Sequence, residues 1–103
     1  MVKMLETVEE YTAAIAGEGL VVVDFTATWC PPCQMIGPKF AALDGKYEGV
    51  TLFKVDVDAN KEAAEKAGIQ AMPTFKYFKG GVELHEIRGA NEAGIIAKIE
   101  ELK

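Results

Sequence analysis

The sequence is poor in cysteine and in metal-binding residues. Its 103 residues include two cysteines and one histidine. A structural zinc site needs about four ligands, so we expect no metal to be bound by this chain alone. Half of the residues are hydrophobic, which is enough for an ordinary core without a framework of disulfides. A close pair of cysteines in such a chain is more typical of catalysis or metal binding than of a structural disulfide.

Basic residues and long apolar runs are also scarce. Eleven Lys and Arg against sixteen Asp and Glu give a net charge of −5, which disfavours nucleic acid as a partner. The apolar run at residues 20–23 is as long as any in the chain and far too short to span a membrane. Residues 1–17 carry Glu6, Glu9 and Glu10 and lack the layout of a signal peptide. We therefore expect a cytoplasmic protein, unless a presequence has been removed.

Strand and helix patterns alternate along the chain. Thr7 followed by Glu10 matches a capping box, and Gly80-Gly81 suits a two-residue hairpin turn. The predicted strands are residues 1–5, 20–26, 51–57, 75–79 and 82–88, and the predicted helices are residues 7–17, 32–47, 60–68 and 91–102. This order predicts an α/β fold, a mixed sheet with helices on both faces, in a single domain spanning residues 1–103.

The strongest chemical signal is Trp29-Cys30-Pro31-Pro32-Cys33, between a predicted strand and a predicted helix. Free N–H groups and partial positive charge at a helix N-terminus favour a thiolate on Cys30. A thiolate is the nucleophile in disulfide exchange, and Cys33, one turn inward, is placed to attack the mixed disulfide. We favour this redox role over a zinc site, a metal or iron–sulfur site shared between two chains, or an inert pair.

Two charged residues interrupt predicted apolar strands. Asp24 lies in the most apolar strand, where burial would raise its pKa and let it accept the proton that Cys33 must lose. An edge position with access to solvent is the alternative. Lys54 lies in the next apolar strand, where it either neighbours Asp24 and moderates that shift or extends along a half-exposed face.

Met72-Pro73-Thr74 directly precedes a predicted strand. X–Pro is the only common cis peptide, and these residues alone leave the cis and trans forms both open. A cis bond would leave the backbone of Met72 facing outward, where it could pair with an extended peptide.

In combination these residues resemble the thioredoxin family from end to end. The matching positions are Val23-Asp24-Phe25, Ala27, Trp29-Cys30, Pro32-Cys33, Pro38, Lys54-Val55-Asp56, Pro73-Thr74, Phe78, Gly80 and Gly89. The resemblance implies a thioredoxin fold, which is a central five-stranded mixed sheet flanked by four helices, with a cis bond before Pro73.

The resemblance also implies an activity, the reduction of protein disulfides by a dithiol–disulfide oxidoreductase. Cys30 would attack, Cys33 would resolve, and Asp24 would assist proton transfer. Supporting roles would fall to Lys54, Trp29, Pro31, Pro32 and Pro73, and the substrate-docking surface would consist of Trp29, Met72, Pro73, Thr74, Gly89 and Ala90. The chain would act as a monomer without a bound cofactor. Electrons would come from NADPH through a separate thioredoxin reductase and leave a reversible Cys30–Cys33 disulfide.

Pro31 departs from the family pattern, which usually has glycine there. Proline fixes φ and removes an N–H donor close to the Cys30 sulfur, so the redox potential and the preferred electron donor are open. Trp-Cys-Pro-Pro-Cys is usual in tryparedoxins and nucleoredoxin-like proteins, which normally carry a basic residue where this chain has Gln34. Such a carrier with a different donor is one alternative, and a non-catalytic interaction module of the same fold is another.

Overall fold

The computed structural model describes residues 2–103, within which five strands and four helices alternate. They are β1 (Lys3–Met4), α1 (Val8–Ile15), β2 (Leu20–Thr26), α2 (Pro31–Ala41), β3 (Val50–Asp56), α3 (Lys61–Ala67), β4 (Thr74–Lys79), β5 (Val82–Arg88) and α4 (Glu92–Leu102). The predicted α/β class, with a mixed sheet of five strands and four helices, is confirmed.

β2 lies at the centre of the sheet, whose strand order is β1-β3-β2-β4-β5. It is parallel to β3 and antiparallel to β4, and β4 is antiparallel to β5. Residues 20–25 are all buried, as expected for a strand with helices over both faces. Strands β2, β3 and β5 consequently end where β4 begins, and we call this the carboxyl edge of the sheet.

The helices cover the sheet in two pairs, and each pair encloses a core. The core under α2 and α4 contains Leu20, Val22, Ile36, Phe40, Leu43, Leu52, Phe75, Tyr77, Ile95 and Ile99. The core under α1 and α3 contains Leu5, Tyr11, Ile15, Val21, Val23, Phe25, Val55, Ala63 and Phe78. Because side chains alternate between faces along a strand, Asp24 lies on the side of α2 and Lys76 on the side of α3. We call these sides the α2 face and the α3 face.

Three helices begin at the predicted caps. Thr7 Oγ1 accepts a hydrogen bond from the Glu10 N–H at 3.1 Å, and the side chain of Asn60 caps α3. Asn91 Oδ1 accepts from the Gly94 N–H at 2.9 Å. A Cβ added at Gly94 would lie 2.6 Å from the amide nitrogen of that same cap. The glycine that weakens α4 by its low helix propensity therefore makes room for the residue that caps the helix.

Helix α2 is shorter than predicted, spanning Pro31–Ala41 instead of residues 32–47. Beyond it, the N–H of Leu43 donates to a carbonyl three residues back, and Gly45 has a φ of +79°. Neither feature continues an α-helix. Leu43 is nevertheless buried, so the apolar spacing that suggested a longer helix continues past its end.

The remaining boundaries differ by a residue or two. β1 is confined to Lys3–Met4 within the predicted range 1–5, of which Met1 lies outside the described residues. β3 begins and ends one residue earlier than predicted, and β4 begins at Thr74.

Candidate active site

The two cysteines lie at the N-terminus of α2, just beyond the end of β2. Cys30 is the N-cap residue of the helix and forms a disulfide with Cys33, their Cα atoms 5.2 Å apart. The Gln34 N–H donates to the Cys30 carbonyl at 3.1 Å, which is the first intrahelical hydrogen bond. The pair can therefore bond within one helical turn, as the spacing predicted.

The helix N-terminus offers the Cys30 sulfur few main-chain donors. The first two helical residues, Pro31 and Pro32, have no N–H. The Cys33 N–H donates to Cys30 Sγ at 3.3 Å. The predicted loss of a donor at Pro31 thus leaves the Cys33 N–H as the main-chain group that stabilises charge on this sulfur.

Asp24 lies on β2 with its side chain on the α2 face. It is 2% exposed, which excludes the edge position, and its Oδ1 has no hydrogen-bond partner among the described residues. Burial raises its pKa from 3.8 to about 7, although the charge of Lys54 opposes the rise. A carboxyl group with a pKa near neutrality can exchange a proton under physiological conditions.

A cavity of about 390 Å³ connects Asp24 with the second cysteine. It lies under α2, and Asp24, Cys33 and Lys54 all line it. Lys54 is also directly in register with Asp24 on the neighbouring strand β3. The structure therefore places Lys54 next to Asp24, and Lys54 is also half-exposed, so both features of the two alternatives are present.

Trp29 lies on the surface beside the cysteines and is 62% exposed. Its indole Nε1–H donates to Asp58 Oδ2 at 2.6 Å, which fixes one edge of the ring. Asp58 was not among the predicted site residues. The available signal was its position just after β3, the strand next to β2, since parallel neighbours end at the same edge of a sheet.

The Met72-Pro73 segment lies against the cysteines. The Met72–Pro73 peptide bond is cis, and Met72 packs on the buried cluster of Ala27 and the two cysteines. The Gly89 N–H donates to the Pro73 carbonyl at 2.8 Å and so joins this segment to the end of β5. Of the six predicted docking residues, Trp29 is exposed, Met72, Gly89 and Ala90 are half-buried, and Pro73 and Thr74 are buried.

A cysteine pair in this position can alternate between dithiol and disulfide while the sheet and helices stay in place. The class of protein that this fold and site define is a protein disulfide oxidoreductase. The family model Thioredoxin matches residues 2–101. The chain belongs to the thioredoxin family.

Individual relatives agree along the whole chain. A thioredoxin of Geodia cydonium is 49% identical over 106 residues and covers 100% of both chains. The Homo sapiens thioredoxin is 45% identical over 104 residues, covering 99% of each chain. The X-ray structure of Fasciola hepatica thioredoxin superimposes with a TM-score of 0.94 at 41% identity, covering 99% of this chain and 100% of that chain. These matches favour the main prediction over the tryparedoxin-like carrier and the non-catalytic module.

Within residues 2–103, no helix is long and apolar enough to cross a membrane. The same residues contain no group of three or more His, Cys, Asp or Glu side chains that could hold a metal ion.

Proposed function

We propose that Cys30 is the attacking cysteine in the reduction of protein disulfides. Its thiolate attacks one sulfur of the substrate disulfide, a Cys30–substrate bond forms, and the other substrate sulfur leaves as a thiolate. The N-cap position and the Cys33 N–H support charge on this sulfur. Cys30 is also the more accessible of the two, 5% exposed against 1% for Cys33.

Cys33 resolves this mixed disulfide. It transfers its proton to Asp24 and attacks the Cys30 sulfur, so that the Cys30–Cys33 bond forms and the second substrate sulfur leaves as a thiolate. Two electrons have then passed from the protein to the substrate. The observation that carries the proposal is the shared cavity: Asp24, with a pKa of about 7, and Cys33 both line it. Lys54 keeps that pKa from rising further.

Protein substrates dock on the surface formed by Trp29, Met72, Gly89 and Ala90. The large exposed indole supplies apolar contact area. Pro73, which is buried, contributes by joining this surface to β5 through the Gly89 hydrogen bond. The chain acts as a monomeric single domain over residues 1–103, and the internal disulfide leaves neither cysteine free to form a disulfide with a second copy.

Electrons return to the Cys30–Cys33 disulfide from NADPH through a separate thioredoxin reductase, and the protein works in the cytoplasm without a bound cofactor. Membership of the thioredoxin family supports this donor. Pro31 stands where the family usually has glycine, and it is the observation behind the second candidate, a tryparedoxin-like carrier with a different electron donor. Reduction of the Cys30–Cys33 disulfide by purified thioredoxin reductase with NADPH tests the first donor, and failure of that reaction would favour the second.

Insulin reduction by dithiothreitol, followed by turbidity, tests the activity. The wild-type chain should accelerate the reaction well above dithiothreitol alone, and Cys30→Ser and Cys33→Ser should each abolish the acceleration. Cys33→Ser should in addition trap a mixed disulfide through Cys30, visible by non-reducing electrophoresis. Acceleration that survives Cys30→Ser would contradict the proposal.

The substitution Pro31→Gly tests how the helix N-terminus sets the redox potential. Glycine restores an N–H close to Cys30 Sγ, which stabilises the thiolate and hence the reduced form. The reduction potential, measured by equilibration in glutathione buffers, should therefore rise above that of the wild type. Equal potentials would show that the missing donor at Pro31 has no influence on the couple.

A further inference from the structure

A row of four charged side chains on the α3 face leads along β4 and β5 to the carboxyl edge. Buried Lys76 donates from Nζ to Glu83 Oε1 at 2.7 Å and contacts Glu86 Oε1 at 3.0 Å. The other oxygen of that carboxylate, Glu86 Oε2, accepts from Arg88 Nε at 2.7 Å. Lys76 is paired in register with Glu86, and Arg88 with Thr74, so the row ends beside the Pro73 segment.

Arg88 therefore borders the proposed docking surface. It directly precedes Gly89 and Ala90, and the Gly89 N–H donates to the Pro73 carbonyl at 2.8 Å. β5 ends at the same edge of the sheet as β2, the strand that leads to Cys30.

The outer half of the Arg88 guanidinium is unoccupied. Its side chain is 52% exposed, and its Nε is held by Glu86. Within residues 2–103, its terminal nitrogens have no acceptor at hydrogen-bonding distance. Because Lys76 also binds Glu86, Arg88 is not the sole counter-ion of that carboxylate. An arginine fixed through Nε presents its two terminal nitrogens in one plane, which matches the two oxygens of a carboxylate.

We propose that Arg88 is a specificity-determining residue that binds a substrate carboxylate next to the disulfide under attack. The inference rests on the proposed function, because it concerns the substrates of that same site. A chain with a net charge of −5 repels acidic partners on average, and Arg88 reverses that repulsion locally. Asp58, which holds Trp29, has the opposite charge. Because Asp58 repels an acidic substrate residue and Arg88 attracts it, that residue binds on the side of the substrate cysteine that faces Arg88.

The test uses disulfide-bonded peptides in which one residue next to the substrate cysteine is Glu, Gln or Lys. That residue precedes the cysteine in one series of peptides and follows it in the other. Wild-type kcat/KM should be about threefold higher for Glu than for Gln on one side of the cysteine and not on the other. Arg88→Gln should abolish this preference and Arg88→Lys should restore part of it. High salt should weaken it, because the contact is exposed.

Lys46→Gln is the matched control. Lys46 is exposed and lies between α2 and β3, at the opposite end of the sheet from Cys30, so its loss should leave the preference unchanged. A small uncharged disulfide reports the intrinsic reactivity of Cys30, which Arg88→Gln should not alter.

Three outcomes would overturn the inference. Equal reduction of all peptides by the wild type would refute it while leaving the proposed function standing. A uniform loss in Arg88→Gln, extending to the uncharged disulfide, would show that the arginine serves the fold instead of substrate choice. Failure of the wild type to reduce any peptide would refute the proposed function itself, and the inference with it.

Discussion

Asp24 and Lys76 are both charged, both nearly buried and on adjacent strands, yet their surroundings differ. Lys76 on the α3 face contacts two carboxylates, Glu83 at 2.7 Å and Glu86 at 3.0 Å. Asp24 on the α2 face has one oxygen without a partner among the described residues, with the charge of Lys54 acting on it. Buried charge is stabilised where it serves the fold, whereas at the site it is left poorly stabilised and ready to take up a proton.

The substitution Asp24→Asn removes the unstabilised charge and should have the largest effect. Burial raises the Asp24 pKa from 3.8 to about 7. The folded protein therefore holds this proton more tightly than the unfolded chain, and the free energy of unfolding falls as pH rises from about 4 to about 7. Above pH 7 the variant should be more stable than the wild type by up to about 4 kcal/mol, measured by urea unfolding.

The same variant separates stability from activity. Without a carboxylate beside Cys33, resolution of the mixed disulfide should slow by about tenfold above pH 7. Glu18→Gln, at an exposed position, is the control and should change neither quantity. If Asp24→Asn leaves the pH dependence of unfolding intact, the raised pKa of Asp24 is wrong.

The double substitution Glu83→Gln and Glu86→Gln reverses the comparison by leaving Lys76 without a carboxylate. Burial lowers the pKa of Lys76, but its hydrogen bonds to the two carboxylates outweigh this and raise it. Losing both partners of a buried charge should destabilise the fold by about 3 kcal/mol in urea unfolding near pH 7.

A matched change in an exposed pair provides the reference for that experiment. Glu101→Gln breaks the pair with Lys98 on α4 and should change the free energy of unfolding by less than about 0.5 kcal/mol. In the wild type, the contribution of Lys76 to the free energy of unfolding should be lost as pH rises past the raised pKa of its ammonium group. An equally small effect of the double variant would mean that Lys76 is solvated in the folded protein.

The substitution Lys54→Met should have the smallest effect of the three. The charge of Lys54 lowers the pKa of Asp24, so its removal should raise that pKa further above about 7. More Asp24 would then be protonated at neutral pH and unable to accept the Cys33 proton. We expect resolution near pH 7 to slow by about threefold, with the pH profile moved to higher pH. Lys54→Arg keeps the charge and should behave like the wild type; the same shift in both variants would contradict the electrostatic explanation.

The two buried charges also show how far sequence reasoning extends. Asp24 could be found because the remaining positions of residues 20–25 are all apolar. Lys76 could not, because it alternates with Phe75 and Tyr77 as a solvent-facing residue of a half-exposed strand would. Its carboxylates come from β5, and the register between β4 and β5 shifts between Tyr77 and Phe78, opposite Glu83 and His85. No local pattern encodes that pairing.

The fold itself was largely predictable, since caps, turn glycines and apolar strands all act locally. The cysteine pair was found for the same reason, because its chemistry depends on a spacing within one helical turn. The hydrogen bond from Trp29 to Asp58 joins residues 29 positions apart and depends on two strands ending together. The end of α2 was misjudged because buried Leu43 continued the helical spacing through residues that form turns.

The Cys30 sulfur has two roles. It accepts the N–H hydrogen bond that caps α2, and it is also the atom that we propose attacks the substrate. A thiolate is a stronger hydrogen-bond acceptor than a disulfide sulfur, so the hydrogen bond from the Cys33 N–H strengthens when Cys30 is reduced and ionised. The reduction potential of the cysteine pair and the stability of the first turn of α2 are consequently coupled. A substitution that strengthens or frays the first turn of α2 shifts the potential of the couple, even if it never contacts a substrate.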